Sequence, residues 1–393
     1  MTTHYLQVGL ELKLNTLSKE CLKLVNINLF LSGAQLNMRN TNHKKLKNGE
    51  KTGLYGQSMG MVRAMIYQQK PDILWFMTDP RFYGWLWSIE NEIRAHMPMV
   101  YYHVWDNYPY PQFNRPFYLS NDHVACISKV THDIVQTVAP EVAASYIPHA
   151  VDDEIFKPAG MEVSAKLKAE RGLKGKFVCF WNNRNARRKQ SGTLIWWFKE
   201  FLDRVGHDKA TLIMHTDVKD QHGQDLEAII QELGLINGEV LFSTQKVGPH
   251  DLAMVYNMAD LTINISDAEG FGLATLESLS SGTPILVNMT GGLQDQVTDG
   301  ENWFGIGLQP SSKAIIGSQS VPYIYEDRVN KEEFLNALTE LYEMGNEKRN
   351  ELGLMGRDWT QKQFNFEDYT QKWDDLFIKI YEEKGSWETR SGY

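Results

Sequence analysis

Apolar, strand-like runs alternate with helical runs along most of the chain, and this alternation is the feature that most constrains the fold. Strand-like runs are predicted at residues 24–31, 71–77, 98–104, 123–127 and 144–147. A turn-rich, proline-bounded segment follows at 148–158, and the alternation restarts at 177–181. Strands that alternate with helices predict mainly parallel sheets covered on both faces. We therefore expect two doubly wound α/β domains, at residues 1–154 and 155–365.

The composition narrows the class of protein. The chain has 393 residues, is 42% apolar and carries a net charge of −9, which indicates a globular protein with ample core. A diffuse acidic surface argues against nucleic acid as a partner. Three widely spaced cysteines indicate buried thiols in a reducing compartment, and no spacing typical of a metal site is present. Because no apolar run approaches 18 residues, we expect no membrane-spanning segment and a cytoplasmic protein.

One stretch of the second domain carries a candidate binding site. The run 261–266 is strand-like, 267–273 contains glycines, 274–281 is helical and 285–289 is again strand-like. Two carboxylates, Glu269 and Glu277, lie in the loop and on the helix. Gly270 and Gly272 allow a ligand to approach the backbone closely, because neither has a Cβ atom. The helix N-terminus offers unpaired N–H groups, which suit a phosphate.

A basic loop follows the first strand of the second domain. It contains Arg184, Arg187, Arg188 and Lys189 in a domain that is otherwise acidic. Basic side chains at the end of a strand are suited to binding a diphosphate. A solvated run of charge is the alternative interpretation, and this loop alone does not decide between them.

Four motifs in order resemble those of the family 4 glycosyltransferases of the GT-B fold. Arg184 and Lys189 have the family's five-residue spacing, and Glu269 and Glu277 match its Glu-x7-Glu element. A Gly-x-Pro turn follows at 282–284, and the interdomain segment 147–158 matches as well. Gln190 stands where the family usually has a glycine, which predicts a small local change of the backbone.

The resemblance implies a role for each matched residue. Glu277 would accept hydrogen bonds from the ribose of a donor nucleotide, and Glu269 would bind hydroxyls of the transferred sugar. Arg184 and Lys189 would hold the diphosphate and stabilise its charge as it leaves. The remaining donor-binding residues would be Gly270, Phe271, Gly272 and Leu273 near the phosphates, and Thr244, Lys246 and Val247 near the base.

The N-terminal domain offers two candidate residues for the other side of the site. His103 and Asp106 follow a strand and face the expected cleft, and the resemblance implies that one of them lies against the donor sugar. The sequence leaves open which one, and a packed strand-end histidine is as good an interpretation of His103. Tyr108 and Tyr110, in an aromatic loop, are suited to stacking on an acceptor sugar, although core packing is the commoner use of such residues.

The ends of the chain also carry expectations from the resemblance. The family opens with a strand and a glycine-rich loop, whereas this chain begins at about that loop. We therefore expect either that the first strand of the N-terminal domain is missing or that the natural gene begins upstream. The last helical run, 366–383, is expected to cross back, so that residues 366–393 complete the first domain.

The resemblance implies a retaining, metal-independent glycosyltransferase without a cofactor. Its donor would be a nucleoside-diphosphate sugar, linked to UDP or GDP, and its acceptor a carbohydrate, a lipid-linked molecule or another hydroxyl compound. Two alternatives stay open: a nucleotide-sugar epimerase, and a protein of the same fold that binds a nucleotide sugar without turnover.

Overall fold

The computed structural model describes residues 29–33 and 59–392, and these form two parallel sheets with helices around them. The helix predicted near residues 6–21 lies outside the described residues. The N-terminal sheet has five strands in the spatial order in which they occur in the chain, and every neighbouring pair is parallel. Its strands are β1 (Leu29–Gly33), β2 (Ile73–Thr78), β3 (Met99–His103), β4 (His123–Cys126) and β5 (Ala144–Tyr146).

The helices of this domain are short. They are α1 (Met59–Gln69), α2 (Gly84–Trp87), α3 (Glu90–Arg94), α4 (Arg115–Leu119) and α5 (Lys129–Val138). The single helix predicted from Phe82 to Ala95 is wrong. Its apolar pattern is continuous, but the backbone leaves helical geometry at Ile89, which has φ −118° and ψ 19°. The segment therefore forms two short helices, α2 and α3.

The second sheet has six parallel strands in the order β11-β10-β9-β6-β7-β8. They are β6 (Phe177–Asn182), β7 (Ala210–His215), β8 (Val240–Ser243), β9 (Leu261–Asn264), β10 (Ile285–Asn288) and β11 (Gly305–Leu308). All residues of β6 and β9 are buried, as expected of central parallel strands. The strand order reverses at β6, and open α/β sheets bind their ligands at such a switch point.

Eight helices of the described chain belong to this second domain. They are α6 (Met161–Glu170), α7 (Ser191–Val205), α8 (Leu226–Glu232), α9 (Pro249–Met258), α10 (Leu273–Ser280), α11 (Gln294–Val297), α12 (Lys331–Glu343) and α13 (Asn346–Gln363). Most match runs that the periodicity predicts to within two or three residues. The helix α6, after the interdomain segment, was not among the predicted elements.

A β-hairpin also escaped prediction. Its antiparallel strands are β12 (Ser312–Ser318) and β13 (Val321–Arg328), which form a separate two-stranded sheet. The hairpin emerges from the second domain, but Val321 is buried in the hydrophobic core of the first, with Ile324 packed against that core. It therefore connects the two domains.

The last helix, α14 (Phe366–Lys384), packs on the N-terminal domain. Trp373 is fully buried, and its ring lies edge-on to Trp75 at 5.7 Å and to Tyr102 at 4.9 Å between centroids. Beyond the helix, Trp387 donates its indole N–H to the carbonyl of Pro71, at 2.9 Å. The residues after 365 thus extend the core of the first domain. In the described part of the chain, no helix has the length and apolar character needed to cross a membrane.

Candidate active site

The loop between β9 and α10 brings the two domains together. Gly272 has φ +91°, and a Cβ atom on it would lie 2.6 Å from Leu293. A Cβ on Gly270 would lie 3.2 Å from the carbonyl oxygen of Val104, in the other domain. Gly272 therefore needs glycine for its conformation, whereas at Gly270 the absence of a Cβ allows the backbone of the facing domain to approach closely. The loop ends at the N-terminus of α10, where Leu273 is the first helical residue.

Glu277 is held in place on α10 by a buried tyrosine. The hydroxyl of Tyr256 donates to Glu277 Oε2 at 2.9 Å and accepts from Asn182 Nδ2 at 3.0 Å. Burial, reinforced by the neighbouring carboxylate, raises the pKa of Tyr256 well above its ordinary value, so this hydroxyl keeps its proton. The hydrogen bonds that link Asn182, Tyr256 and Glu277 therefore hold one carboxylate oxygen of Glu277 near the carboxyl end of β6.

The basic loop after β6 contains cations that are each engaged by a carboxylate. Arg184 makes a bidentate ion pair with Asp220, with N–O distances of 2.7 and 3.0 Å.

Gln190 adopts the left-handed conformation that favours glycine, with φ 56° and ψ 33°. The amide of Gln190 donates to Asp267 at 2.6 Å, which helps to hold a non-glycine residue in that conformation.

Lys189 and Glu269 form a buried ion pair at the centre of the site. Lys189 is only 6% exposed, and its ammonium donates to Glu269 Oε2, which also accepts from Asn264 at 3.3 Å. Burial lowers the pKa of Lys189 to about 8, because the charged form is desolvated and Arg188 is close. Burial alone would raise the pKa of Glu269, but Lys189 and Arg188 hold it below its ordinary value.

Asp106 is the N-terminal-domain residue that reaches this group. Its carboxylate lies 3.9 Å from Arg188, whose guanidinium also donates to the carbonyl of Ala268. A Cβ on Gly291 would lie 3.4 Å from Asp106, so the two loops are in close contact. Burial raises the pKa of Asp106 to about 6 despite the opposing effect of Arg188. The structure thus brings Asp106, Arg188, Lys189 and Glu269 together.

His103 does not reach the cleft, which favours the packed strand-end histidine over the catalytic residue among its two predicted interpretations. The ring is fully buried, with Nδ1 2.9 Å from the hydroxyl of Tyr101 and Nε2 2.8 Å from that of Tyr118. Burial lowers its pKa to about 3, so it stays neutral. His103 is a packed histidine within β3, whereas Asp106 extends beyond the strand into the cleft.

The loop predicted to bind a base follows β8, at the edge of the sheet. Thr244 and Lys246 are exposed, while Val247 is half-buried against the apolar cluster that includes Tyr256. The loop therefore lies on the side of the site that carries Glu277. The structure shows no further contact that would assign a role to Thr244 or Lys246 among the described residues.

Two polar residues at the ends of neighbouring strands were not predicted. Asn183 and Thr216 are 7% and 5% exposed, and they directly follow β6 and β7, which pair in register at Asn182 and His215. Within the described residues, Asn183 Nδ2 and Thr216 Oγ1 have no hydrogen-bond partner. Buried polar atoms are nearly always satisfied, so this pair is suited to meet a ligand. Polar residues that directly follow apolar, buried strands are the sequence pattern from which these two site residues could have been predicted.

Over the described ranges, no group of three or more His, Cys, Asp or Glu side chains is arranged to hold a metal ion. The groups that these residues offer to a ligand are the N-terminus of α10, buried cations and oriented carboxylates. Such a set binds a phosphate next to hydroxyl groups.

Comparison with known proteins agrees with this geometry. The family model of glycosyl transferases group 1 matches residues 168–359. The D-inositol 3-phosphate glycosyltransferase of Corynebacterium jeikeium is 29% identical over 182 residues, which are 45% of this chain and 43% of that protein. The mannosylfructose-phosphate synthase of Agrobacterium fabrum is 29% identical over 160 residues, 40% of this chain and 35% of that one. The chain thus matches less than half the length of these curated relatives.

Solved structures extend the likeness to both domains. Sucrose-phosphate synthase from Thermosynechococcus elongatus has a TM-score of 0.65 and 18% identity, over 83% of this chain and 77% of that one. Anabaena HepE, in complex with UDP and glucose, has a TM-score of 0.63 and 16% identity, over 81% and 80%. These similarities confirm the predicted fold class, GT-B. Residues 168–359, which supply Arg184, Lys189, Glu269 and Glu277, match the glycosyl transferases group 1 family, and this part of the chain belongs to it.

Proposed function

We propose that this chain is a retaining, metal-independent glycosyltransferase that moves a hexose from a nucleoside-diphosphate sugar to an acceptor hydroxyl. The observation that carries the proposal is the convergence, between the ends of β6 and β9, of a buried lysine, a helix N-terminus and an oriented carboxylate. These are the groups that a diphosphate flanked by a ribose and a sugar would require.

The diphosphate would lie between the start of α10 and the basic loop. As the bond to the sugar breaks, negative charge accumulates on the leaving diphosphate, and cations fixed beforehand lower the barrier. Lys189 suits this role because burial makes its charge more effective than it would be in water. Arg184 is partly exposed, at 30% of its side chain, so a phosphate would compete with Asp220 for it.

Glu277 would accept hydrogen bonds from the two ribose hydroxyls, because an ionised carboxylate is an acceptor only. The hydrogen bond from Tyr256 holds Glu277 Oε2 on the side of the site that follows β6. Glu269 would bind hydroxyls of the transferred sugar. Its ion pair with Lys189 supports this placement, because the sugar and the first phosphate of a nucleotide sugar are adjacent.

If the sugar is transferred in a single step, retention of configuration requires the acceptor hydroxyl to attack from the face that the leaving group occupies. We propose that an oxygen of the departing diphosphate takes the proton from this hydroxyl, while Asp106 positions the sugar from the N-terminal side. The pKa of Asp106, about 6, keeps this carboxylate mainly ionised at neutral pH. It therefore accepts hydrogen bonds from hydroxyl groups.

UDP and GDP are the two nucleotides to test as the nucleotide part of the donor. HepE, with its UDP complexes, supports UDP as the first probe. We place the activity in the cytoplasm, which is supported by Cys126 and Cys179 being buried and unpaired.

The test is to measure the binding of UDP and GDP by calorimetry to the wild-type protein and to site variants. Glu277→Ala deletes the proposed hydrogen bonds to a charged group. The loss of one such bond, worth about 1.5–3 kcal/mol, should weaken binding by roughly 10- to 150-fold, and the loss of both should weaken it further. Arg184→Ala combined with Lys189→Ala should abolish most of the turnover. The exposed Glu383→Gln, on α14, is the matched control and should change neither.

The outcomes separate the alternatives. Transfer with an α-linked product from an α-linked donor, observed by NMR, supports a retaining transferase. Conversion of the donor sugar without an acceptor would indicate an epimerase. Tight binding without transfer or hydrolysis would indicate a binding protein. Full nucleotide affinity in the combined Glu277, Arg184 and Lys189 variant would show that the site is wrong.

A further inference from the structure

The hairpin formed by β12 and β13 closes one side of the cleft. On the N-terminal domain, the backbone N–H of Tyr325 donates to the carbonyl of Tyr108 at 2.6 Å. The side chain of Asn107 donates back to the carbonyl of Tyr325 at 2.8 Å. Together with the buried Val321, these bonds fix the middle of β13 to the loop that carries Asp106.

The base of the same strand is fixed to the second domain. The N–H of Asp327 donates to the carbonyl of Asp267 at 2.9 Å, and the Asp327 carboxylate accepts from Thr290 at 2.7 Å. One residue earlier, Glu326 makes a bidentate ion pair with Arg187 of the basic loop, at 2.6 and 2.9 Å. A single strand therefore joins the cation-bearing loop to the N-terminal domain.

The inner face of the hairpin lines a cleft whose opposite wall includes Asp106. From the hairpin come Lys313, Tyr325 and Asp327, and from the N-terminal domain come Asp106 and Tyr108. The cavity left between them is about 20 Å³, which holds about one water molecule. A larger molecule therefore enters only when the hairpin or the domains move apart.

The chemistry of this lining is acidic and aromatic. Asp106 and Asp327 are carboxylates, and Lys313, the cation among the described lining residues, is 3.5 Å from Asp327 and so already paired. Arg188 faces Asp106 from the side of the proposed diphosphate site, where the donor would engage its charge. An anionic group placed in this cleft would meet more negative than positive charge, which disfavours it.

Tyrosines continue this surface on both sides of the contact. Tyr108 and Tyr110 lie edge to face at 5.4 Å between centroids, as do Tyr323 and Tyr325 of the hairpin. Tyr110 and Tyr323 are 41% and 42% exposed. A tyrosine offers an apolar ring and a polar hydroxyl together, which suits a molecule that alternates C–H faces with hydroxyl groups.

We propose that this hairpin is the acceptor-side wall of the site, and that it selects a neutral saccharide over a phosphorylated one. The proposal rests on the donor site proposed above and adds the class of the acceptor. The negative charge of Asp327 would set the preference, and the nearby ammonium of Lys313 would weaken it. Both named curated relatives have a phosphate in the name of their product or acceptor, so the lining residues here predict a difference from them.

The test compares neutral hexoses and disaccharides with their 6-phosphates as acceptors, and measures their binding by saturation-transfer NMR in the presence of saturating UDP or GDP. We expect the wild-type protein to bind at least one neutral saccharide tenfold or more tightly than its phosphate. Asp327→Asn removes a negative charge and leaves Lys313 without its partner carboxylate. It should reduce that preference by at least tenfold, while Lys313→Ala should increase it.

Two controls keep the outcomes distinct. Gln319→Ala, at the exposed hairpin turn, should leave the preference unchanged. UDP or GDP affinity and the thermal unfolding temperature report whether each variant keeps its fold and its donor site. A preference that stays the same in both charge variants, a phosphate preferred by the wild-type protein, or no saccharide bound while nucleotide binds would each overturn the acceptor proposal. Absence of nucleotide binding would instead overturn the proposed donor site.

Discussion

Replacing Tyr256 with phenylalanine removes one oxygen atom from the centre of the proposed nucleotide site. The tyrosine ring is fully buried, so phenylalanine retains the packing against Phe156 and Phe180. What is lost is the hydroxyl that accepts from Asn182 and donates to Glu277. The substitution therefore separates the orientation of Glu277 from the shape of the core.

The size of the effect follows from these two bonds. A hydrogen bond to a charged group contributes about 1.5–3 kcal/mol, and a buried amide left without its partner costs about 1–3 kcal/mol. Water that fills the vacated position recovers part of this, so we expect a loss of about 2–3 kcal/mol in the free energy of unfolding. For a domain of this size the unfolding temperature should fall by roughly 4–12 °C. Nucleotide affinity should fall about tenfold, because Glu277 is no longer held in one orientation.

Calorimetric titration with UDP and GDP, together with a thermal unfolding scan, measures both effects. The control is Tyr118→Phe, which removes an equally buried hydroxyl, bonded to His103 in the N-terminal core. It should lower stability by a similar amount and leave nucleotide affinity unchanged. If Tyr256→Phe lowered the unfolding temperature but bound nucleotide as tightly as the wild-type protein, Glu277 would not depend on Tyr256.

Three further changes have expected outcomes. The pKa of Lys189 is lowered to about 8 by burial, so its charge is present below that pH and lost above it; UDP affinity measured from pH 7 to 9.5 should fall above pH 8, and Lys189→Met should flatten this dependence. Gly353→Ala would place a Cβ atom 1.9 Å from the carbonyl oxygen of Gly282, and should lower the unfolding temperature by several degrees or prevent soluble expression. Asp295→Ala removes the carboxylate that accepts from the N–H of Lys129, in the other domain, at 2.9 Å. It should weaken the contact between the two domains by about 1 kcal/mol. X-ray scattering should then show a larger radius of gyration.

The sequence predicted the elements whose pattern is local. The apolar run 177–181 within β6 and the glycine-bearing loop before α10 each contain, within a few residues, the pattern that predicts them. Glu269 and Lys189 are 80 residues apart, but each lies in the loop that follows a central strand, β9 and β6 respectively. Because parallel strands end at one edge of a sheet, their partnership follows from topology.

Other features depend on distances that no local pattern encodes. His103 and Asp106 both follow apolar residues, and only the packing of Tyr101 and Tyr118 decides that the histidine is enclosed. The hairpin was missed because most of its residues are exposed, so its sequence lacks the apolar run of a central strand. Gln190 was expected to alter the backbone, but a hydrogen bond to Asp267, distant in sequence, helps to hold it in a conformation typical of glycine.

The position of α14 has a consequence for the order of events during synthesis. Trp75 and Tyr102 are translated before the second domain, whereas Trp373, which covers them, is translated after it. At about 5–20 residues per second, the intervening chain takes roughly 15–60 s to be translated. The N-terminal domain is thus completed only after the second domain has been translated, and until then the apolar surface around Trp75 stays uncovered by α14. Removing that helix would leave the second domain able to fold and the first with an uncovered core.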